Sequence, residues 1–215
     1  MNVKRWGDAV PWLLALSIES ILLYLVRLGD LRTQIHSLWL ALLVLSVVYG
    51  GAVLWILYKK SGSVRTLIIF SLLFRLTMCN SPVSLSDDIY RYIWDGRVQL
   101  AGINPYRYAP EDDALTSLRD STIYPAINHR QVPTIYPPLA QAFFAMTAAI
   151  SERLGTIKMG LIALDIGLCL LLARFLALRN MDPRRTLIYA WHPLPLIEIA
   201  GSGHIDILGS FFALA

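Results

Sequence analysis

The stretch LWLALLVLSVVYGGAVLWILY, residues 38–58, decides the fold class of this 215-residue chain. It contains no charged side chain, and it is long enough for one membrane crossing, which takes about 20 apolar residues in a helix. A helix on the surface of a soluble domain would instead carry polar residues along one face. The stretch therefore predicts a membrane-spanning α-helix.

The composition of the whole chain extends this interpretation. Hydrophobic residues make up 56% of the chain and charged residues only 16%, whereas soluble domains carry about 25% charged residues. The mean hydropathy is +0.54. The net charge of +4 is typical of cytoplasmic loops that hold Lys and Arg, and it does not indicate nucleic-acid binding. We expect an all-α, multi-pass integral membrane protein.

Further apolar runs on both sides of this stretch predict the remaining spans. A long polar segment between two of these runs predicts a loop. We expect spans at about 9–28, 64–79, 157–178 and 186–203, a partial span at 207–215, and a loop with interfacial helices at about 80–156. Because the last run stops at Ala215, we expect this single transmembrane domain to be the N-terminal part of a longer protein.

Charged residues beside the spans predict their orientation. Lys59, Lys60 and Arg65 follow the second span, which places that loop in the cytoplasm and the long loop outside. Arg75, near the end of the third span, is expected to extend its side chain to the membrane interface.

The short apolar segment at 140–150, which follows Pro137 and Pro138, leaves two topologies open. If it crosses the membrane, the arginines that follow the next span lie outside. If it stays in the outer interface, they lie in the cytoplasm, as the bias of positive charge predicts. The second topology also suits the length of the segment, which is short for a span, and we favour it.

Within the long loop, SDDIYRYIWDGRVQLAGINPYRYAP, residues 86–110, predicts an amphipathic helix at the outer interface. Ser86 is placed to cap its start, and Gly102 can close it in the left-handed conformation. Asp88, Tyr92 and Asp95 share one face at helical spacing, and this face could form a polar wall for a sugar.

Asp87 and Asp88 are the leading candidates for chemistry. One of two adjacent acids at a membrane surface could take a proton from an acceptor hydroxyl, and the pair could also bind a divalent metal such as Mg²⁺ or Mn²⁺. The structural alternative is that acids in the first turn stabilise the helix through its dipole.

Basic and aromatic side chains of the same region form a candidate binding set. Arginine binds phosphate through a bidentate fork, and aromatic faces stack on sugar rings. In the alternative interpretation, Arg91 pairs with Asp87 or Asp95 at helical spacing. The candidate substrate-binding residues are Arg91, Tyr92, Asp95, Arg97, His129, Arg130, Tyr136 and His204.

Taken in order, the segment at 86–110, INHRQVPTIYPPLAQ at 127–141 and AWHPLPLIEIAGSGHID at 190–206 resemble the GT-C superfamily of membrane glycosyltransferases. The chain looks most like bacterial polyprenol-phosphate-sugar-dependent enzymes of glycosyltransferase family 87 and of the mannosyltransferase type. In that superfamily an acidic pair in a large outer loop carries the essential carboxylate, which matches Asp87 and Asp88. A later outer loop often supplies a second acid, and Asp206 matches it.

The resemblance implies an inverting transfer of a hexose such as mannose from a polyprenyl-phosphate donor to a lipid or glycan acceptor. It also implies a GT-C-like helical fold in the bacterial inner membrane, with the active site on the extracytoplasmic side. Its partners would be these substrates and membrane lipids, without nucleic acid.

Two other functions remain open. A transporter or flippase would suit a broken helix and acids within spans, namely Glu19, Asp165 and Glu198. The concentration of acids and aromatics in the outer loop argues against it. A non-catalytic membrane subunit is the second alternative, which the short chain favours.

Overall fold

The computed structural model describes the backbone of residues 3–215 and the side chains from Ala9 onward, and all regular structure in that part is helical. The predicted all-α fold class is confirmed there. The six longer helices are α1 (Val3–Arg27), α2 (Ile35–Lys59), α3 (Val64–Cys79), α4 (Asp88–Leu100), α5 (Pro138–Ile150) and α6 (Leu154–Leu178).

Three of these helices are long and apolar enough to cross a membrane: Ala9–Arg27 within α1, α2 and α6. They coincide with predicted spans at 9–28, 38–58 and 157–178. Helix α3 has 16 residues, or about 24 Å at a rise of about 1.5 Å per residue, against a hydrocarbon core of about 30 Å. A crossing by α3 therefore stays a prediction.

The predicted span at 186–203, which the sequence expects Pro193 and Pro195 to interrupt, is not one continuous helix, and a crossing by it stays a prediction. The chain passes through a 3-10 turn (Pro183–Thr186), α7 (Leu187–Ala190), α8 (Pro193–Pro195) and a π-helical turn (Leu196–Ser202). Proline has no backbone N–H and clashes with the preceding turn, so a continuous helix cannot form here. We call residues 183–202 the broken segment.

Helix α9 (Asp206–Leu214) follows the broken segment and lies where the sequence predicts a partial span at 207–215, which stays a prediction. The two parts, Pro193–Ser202 and α9, meet at a bend of 120°, as in a broken span or a re-entrant loop. His204 lies in the turn between these two parts.

Arg75 does not extend to the interface, which corrects the sequence-based expectation. Its side chain and that of Asp165 on α6 are both 0% exposed, and they form an ion pair at 2.7 Å. Arg75 also donates to the carbonyl oxygens of Ser71 and Ala190. The Tyr189 hydroxyl donates to the other Asp165 oxygen at 2.7 Å. This network joins α3 and α6 to α7 inside the bundle, because a buried charge needs a partner.

Helices α4 and α5 pack closely in the long loop. A Cβ atom at Gly96 would lie 2.5 Å from the carbonyl oxygen of Phe144, so only glycine allows this approach. The Tyr92 ring stacks on Phe144 with ring centroids 4.6 Å apart. Most of α4 is buried, including Asp95, although the sequence placed Asp95 on the polar face of an interfacial helix.

Candidate functional site

The first turn of α4 positions the acidic pair. The Ser86 hydroxyl accepts a hydrogen bond from the Asp88 backbone N–H at 3.3 Å, as expected for a residue that caps the helix start. Asp87 occupies the N-cap position, but its side chain makes no capping hydrogen bond. Both carboxylates are half-buried, which leaves part of each open to a binding partner.

The two adjacent acids face different partners. Asp87 lies 3.5 Å from the guanidinium of Arg32, which belongs to the loop between α1 and α2 and is also bound by Asp30. Asp88 accepts a hydrogen bond from the Asn128 side-chain amide at 2.8 Å. A cation therefore lies beside Asp87, whereas Asp88 contacts a neutral donor.

Asp88 opens into a cavity of about 260 Å³. Three of the predicted binding residues line it, Arg91, His129 and Tyr136. His129 has a backbone φ of +46°, in the left-handed region that non-glycine residues rarely adopt. The full lining is Asp88, Arg91, Asn128, His129, Val132, Pro133, Ile135 and Tyr136.

Asp206 approaches the same region from the other end of the chain. The turn before α9 contains Gly203, with φ +83°, where a Cβ atom would lie 2.6 Å from the Ile89 side chain. This turn therefore packs directly on the first turn of α4, next to Asp88, and the missing glycine side chain allows the contact.

The raised pKa of the Tyr92 hydroxyl agrees with Asp88 and Asp206 lying in the same region. Burial raises it first, and the nearby Tyr136, Asp88 and Asp206 raise it further. Tyr92 and Tyr136 meet edge to face, 5.1 Å between ring centroids. Both carboxylates thus act on one ring, and the structure brings Asp88 and Asp206 to the same part of the molecule.

A second cavity, of about 350 Å³, lies beside Asp206. His204 Nε2 is 3.3 Å from a carboxylate oxygen of Glu198, and both side chains line this cavity with Asp206 and Tyr189. The sequence assigned His204 and Asp206 to the site and considered Glu198 only as an acid within a span. Glu198 lies on the π-helical turn, where the side-chain register differs from that of an α-helix. The sequence did not predict this turn.

The structure confirms the alternative interpretation of Arg91, an ion pair with Asp95. The Arg91 Nε–H donates to Asp95 at 2.9 Å, and a second N–H donates to the Val132 carbonyl. Asp95 is 2% exposed and also accepts from Thr134 at 2.5 Å and from Gln141 at 2.9 Å. Asp95 therefore stabilises the wall of the cavity through these hydrogen bonds, and its own side chain does not line the cavity.

Arg97 and Arg130 lie outside the Asp88 cavity. The Arg97 guanidinium binds Glu152 at 2.7 Å and Asp120 at 2.9 Å, and it donates to the Leu118 carbonyl. Arg130 is exposed and lies over the Tyr124 ring, 5.3 Å from its centroid. The geometry gives neither arginine a contact with the acidic pair.

A metal ion at the acidic pair finds little support in the geometry. Within residues whose side chains are described, no group of three or more His, Cys, Asp or Glu could hold an ion. Asp87 and Asp88 turn to Arg32 and Asn128 instead of converging on one point. A metal ion at Asp87 and Asp88 stays a prediction, and no step of the mechanism below depends on it.

Besides Glu198, two residues of the site were not assigned from the sequence. Asn128 belongs to the segment at 127–141 that carries the family resemblance, so that segment held a usable signal. Arg32 lies in a short polar loop far from Asp87 in sequence, and only the folded chain joins them.

Comparison with known proteins gives one match. A family model described as "Alpha-(1->6)-mannopyranosyltransferase, N-terminal domain" matches residues 15–215. No curated protein and no solved structure matches the chain. The match covers the acidic pair, the Asp88 cavity and the turn that carries His204 and Asp206.

Proposed function

The chain belongs to the family described as the N-terminal domain of alpha-(1->6)-mannopyranosyltransferases, and on this premise we propose that it transfers mannose from a polyprenyl-phosphate donor to a lipid or glycan hydroxyl at the extracytoplasmic membrane face. Membership supports a glycosyltransferase. The donor, the acceptor and the membrane face are parts of the proposal.

In the proposed reaction, Asp88 is the general base. It takes the proton of the acceptor hydroxyl while that oxygen attacks C1 of the donor sugar. The bond between C1 and the phosphate oxygen breaks, and the lipid phosphate leaves with the electron pair. The configuration at C1 is inverted, because the acceptor enters opposite the leaving group.

The observation that carries this assignment is the different environment of the two acids. Asp88 faces a cavity and a neutral amide, whereas Asp87 faces the Arg32 guanidinium. Asp206 and His204, beside the second cavity, are proposed to bind the substrates, and His129 and Tyr136 to contact a sugar in the first.

The surroundings of the site support a lipid-linked donor. The acidic pair lies in the part of the fold next to the start of α2, a helix long and apolar enough to cross a membrane. Lys59 ends α2 at the opposite end, and the bias of positive charge toward the cytoplasm favours an extracytoplasmic site. A donor embedded in the outer leaflet would meet the acidic pair there.

The transporter alternative loses one of its three candidate acids, Asp165. It needs a titratable acid free to bind a substrate or ion within the spans. Asp165 is bound on one oxygen by Arg75 and on the other by Tyr189. This acid therefore has no free oxygen facing a path through the bundle.

A transfer assay tests the proposal. The purified protein in proteoliposomes should move radiolabelled mannose from polyprenyl phosphate to an acceptor, and Asp88→Asn should lower the rate about 100- to 10,000-fold. Asparagine still accepts the hydrogen bond from Asn128, so folding should persist. Asp113→Asn, an exposed acid in the 3-10 turn Asp113–Leu118, is the matched control. Parent rates in the Asp88 variant would remove the base assignment, and movement of the sugar lipid without transfer would favour a transporter.

A further inference from the structure

Helix α4 carries three charged side chains along one face, and Arg91 lies between the other two. Asp88 precedes it by three residues and Asp95 follows it by four, and both spacings let a guanidinium reach a carboxylate on an α-helix. Arg91 also lines the cavity into which Asp88 opens. Helix α4 thus offers Arg91 two carboxylate partners, and one of them is the proposed base.

The Arg91 guanidinium pairs with Asp95 and not with Asp88. Its Nε–H donates to Asp95 at 2.9 Å, and a terminal N–H donates to the Val132 carbonyl oxygen at 2.9 Å. Because Arg91 is 5% exposed, water screens this attraction between opposite charges only weakly. The Asp88 carboxylate is left with the neutral side-chain amide of Asn128 as its partner.

The Asp95 carboxylate is fixed in place by donors from three parts of the chain. Besides Arg91 on α4, the Thr134 hydroxyl donates to it at 2.5 Å and the Gln141 amide of α5 at 2.9 Å. The Gln99 amide in turn donates to the Gln141 side-chain oxygen at 2.8 Å. A buried polar network with all its members satisfied is rigid. The proposed reaction so far gives this network no part.

We propose that Asp95 is a positioning residue that keeps the proposed base free, because it holds the guanidinium that would otherwise bind Asp88. The inference rests on the proposed function. Asp95 does not line the cavity, so it acts through Arg91. Without the Asp95 charge, the buried guanidinium needs another carboxylate, and Asp88 is the one on the same face of α4. The guanidinium N–H groups would then occupy the oxygens that accept the proton of the acceptor hydroxyl.

Sugar transfer, measured per folded molecule, tests this role. Asp95→Asn keeps the shape of the side chain but removes its charge, and it should lower kcat about 100-fold or more, because Arg91 then blocks the base. Adding Arg91→Gln to Asp95→Asn should restore kcat by about tenfold or more, since it removes the blocking cation. Thr134→Val is the matched control. It removes another hydrogen bond to Asp95 but leaves the ion pair, and its kcat should match that of the parent.

Arg91→Gln alone separates the positioning role from a structural one. If the ion pair only supported the cavity wall, removing either partner would lower transfer equally. In the positioning role, Asp95→Asn should be slower than Arg91→Gln by about tenfold or more, because only Asp95→Asn leaves an unpaired cation beside the base. Equal losses in the two single variants, or no recovery in the double variant, would overturn the inference.

Equilibrium unfolding in mixed micelles gives a second arm that does not depend on catalysis. Asp88→Asn should lower the folding equilibrium constant by about tenfold more in the Asp95→Asn protein than in the parent, because it removes the new partner of Arg91. Equal effects in the two backgrounds would overturn the inference.

The double variant keeps the test decisive if Asp95→Asn alone does not fold. Asp95→Asn with Arg91→Gln leaves no buried unpaired charge, so it should fold. If this folded protein transferred sugar as slowly as Asp88→Asn, the inference would be overturned. If the parent transferred no sugar but the unfolding experiment gave the expected difference, the result would count against the proposed function alone.

Discussion

The ion pair between Arg75 and Asp165 permits a quantitative prediction about the stability of the bundle. Neither side chain has exposed surface, and the charged atoms are 2.7 Å apart. Arg75 is also held by the carbonyl oxygen of Ala190, and Asp165 by the Tyr189 hydroxyl. Asp165→Asn keeps the shape of the side chain but removes the negative charge.

The expected cost follows from the burial. Removing one partner of a buried pair leaves the other charge without compensation, which costs about 3–5 kcal/mol. This corresponds to a change of about 100- to 5,000-fold in the folding equilibrium. Removing both charges, in Arg75→Met with Asp165→Leu, should recover most of the loss, because two apolar side chains need no partner.

Equilibrium unfolding of the purified protein in mixed micelles, followed by circular dichroism, measures the parent, Asp165→Asn, the single variants Arg75→Met and Asp165→Leu, and their double variant. The coupling free energy of this cycle isolates the pair. Lys59→Gln, which removes an exposed charge at the end of α2, is the control. If Asp165→Asn destabilises no more than Lys59→Gln, the pair does not support the bundle and the reasoning is refuted.

Two further predictions concern the long loop. Burial raises the pKa of Asp120, but hydrogen bonds from Arg97, from the Tyr124 backbone N–H and from Thr122 outweigh burial and hold this pKa well below its ordinary value. The stability that ionised Asp120 contributes is therefore present above about pH 4. It is lost as the pH falls toward the lowered pKa. Thermal unfolding at pH 6 and pH 3 should show a smaller acid loss in Asp120→Asn than in the parent, and equal losses would contradict this ion pair. The second prediction concerns the orientation of the chain in the membrane. In a background without Cys79 and Cys169, an impermeant thiol reagent on intact cells should label Ser121→Cys but not Arg179→Cys. Equal labelling of the two variants would mean that α5 crosses the membrane.

The sequence by itself determined the helical elements and the family. An apolar run without charges forms a helix in a membrane whatever surrounds it, because every backbone group must find its partner within the segment. Residues 38–58 accordingly lie within α2. The turn at Gly102 is equally local, since glycine adopts φ +76° at little cost. The ordered segments around Asp88, Asn128 and His204 predicted a glycosyltransferase, and the family match agrees.

Only the tertiary structure decided which charges meet. Arg91 could bind phosphate or pair with a neighbour on its helix, and the packing of α4 against α5 buried it beside Asp95. Arg75 could extend to the interface, and α6 brought Asp165 to it instead. Arg32 and Asn128, from loops before and after α4, distinguish Asp87 from Asp88. A charge interacts through space with whatever the fold places nearby, and no local pattern records that distance.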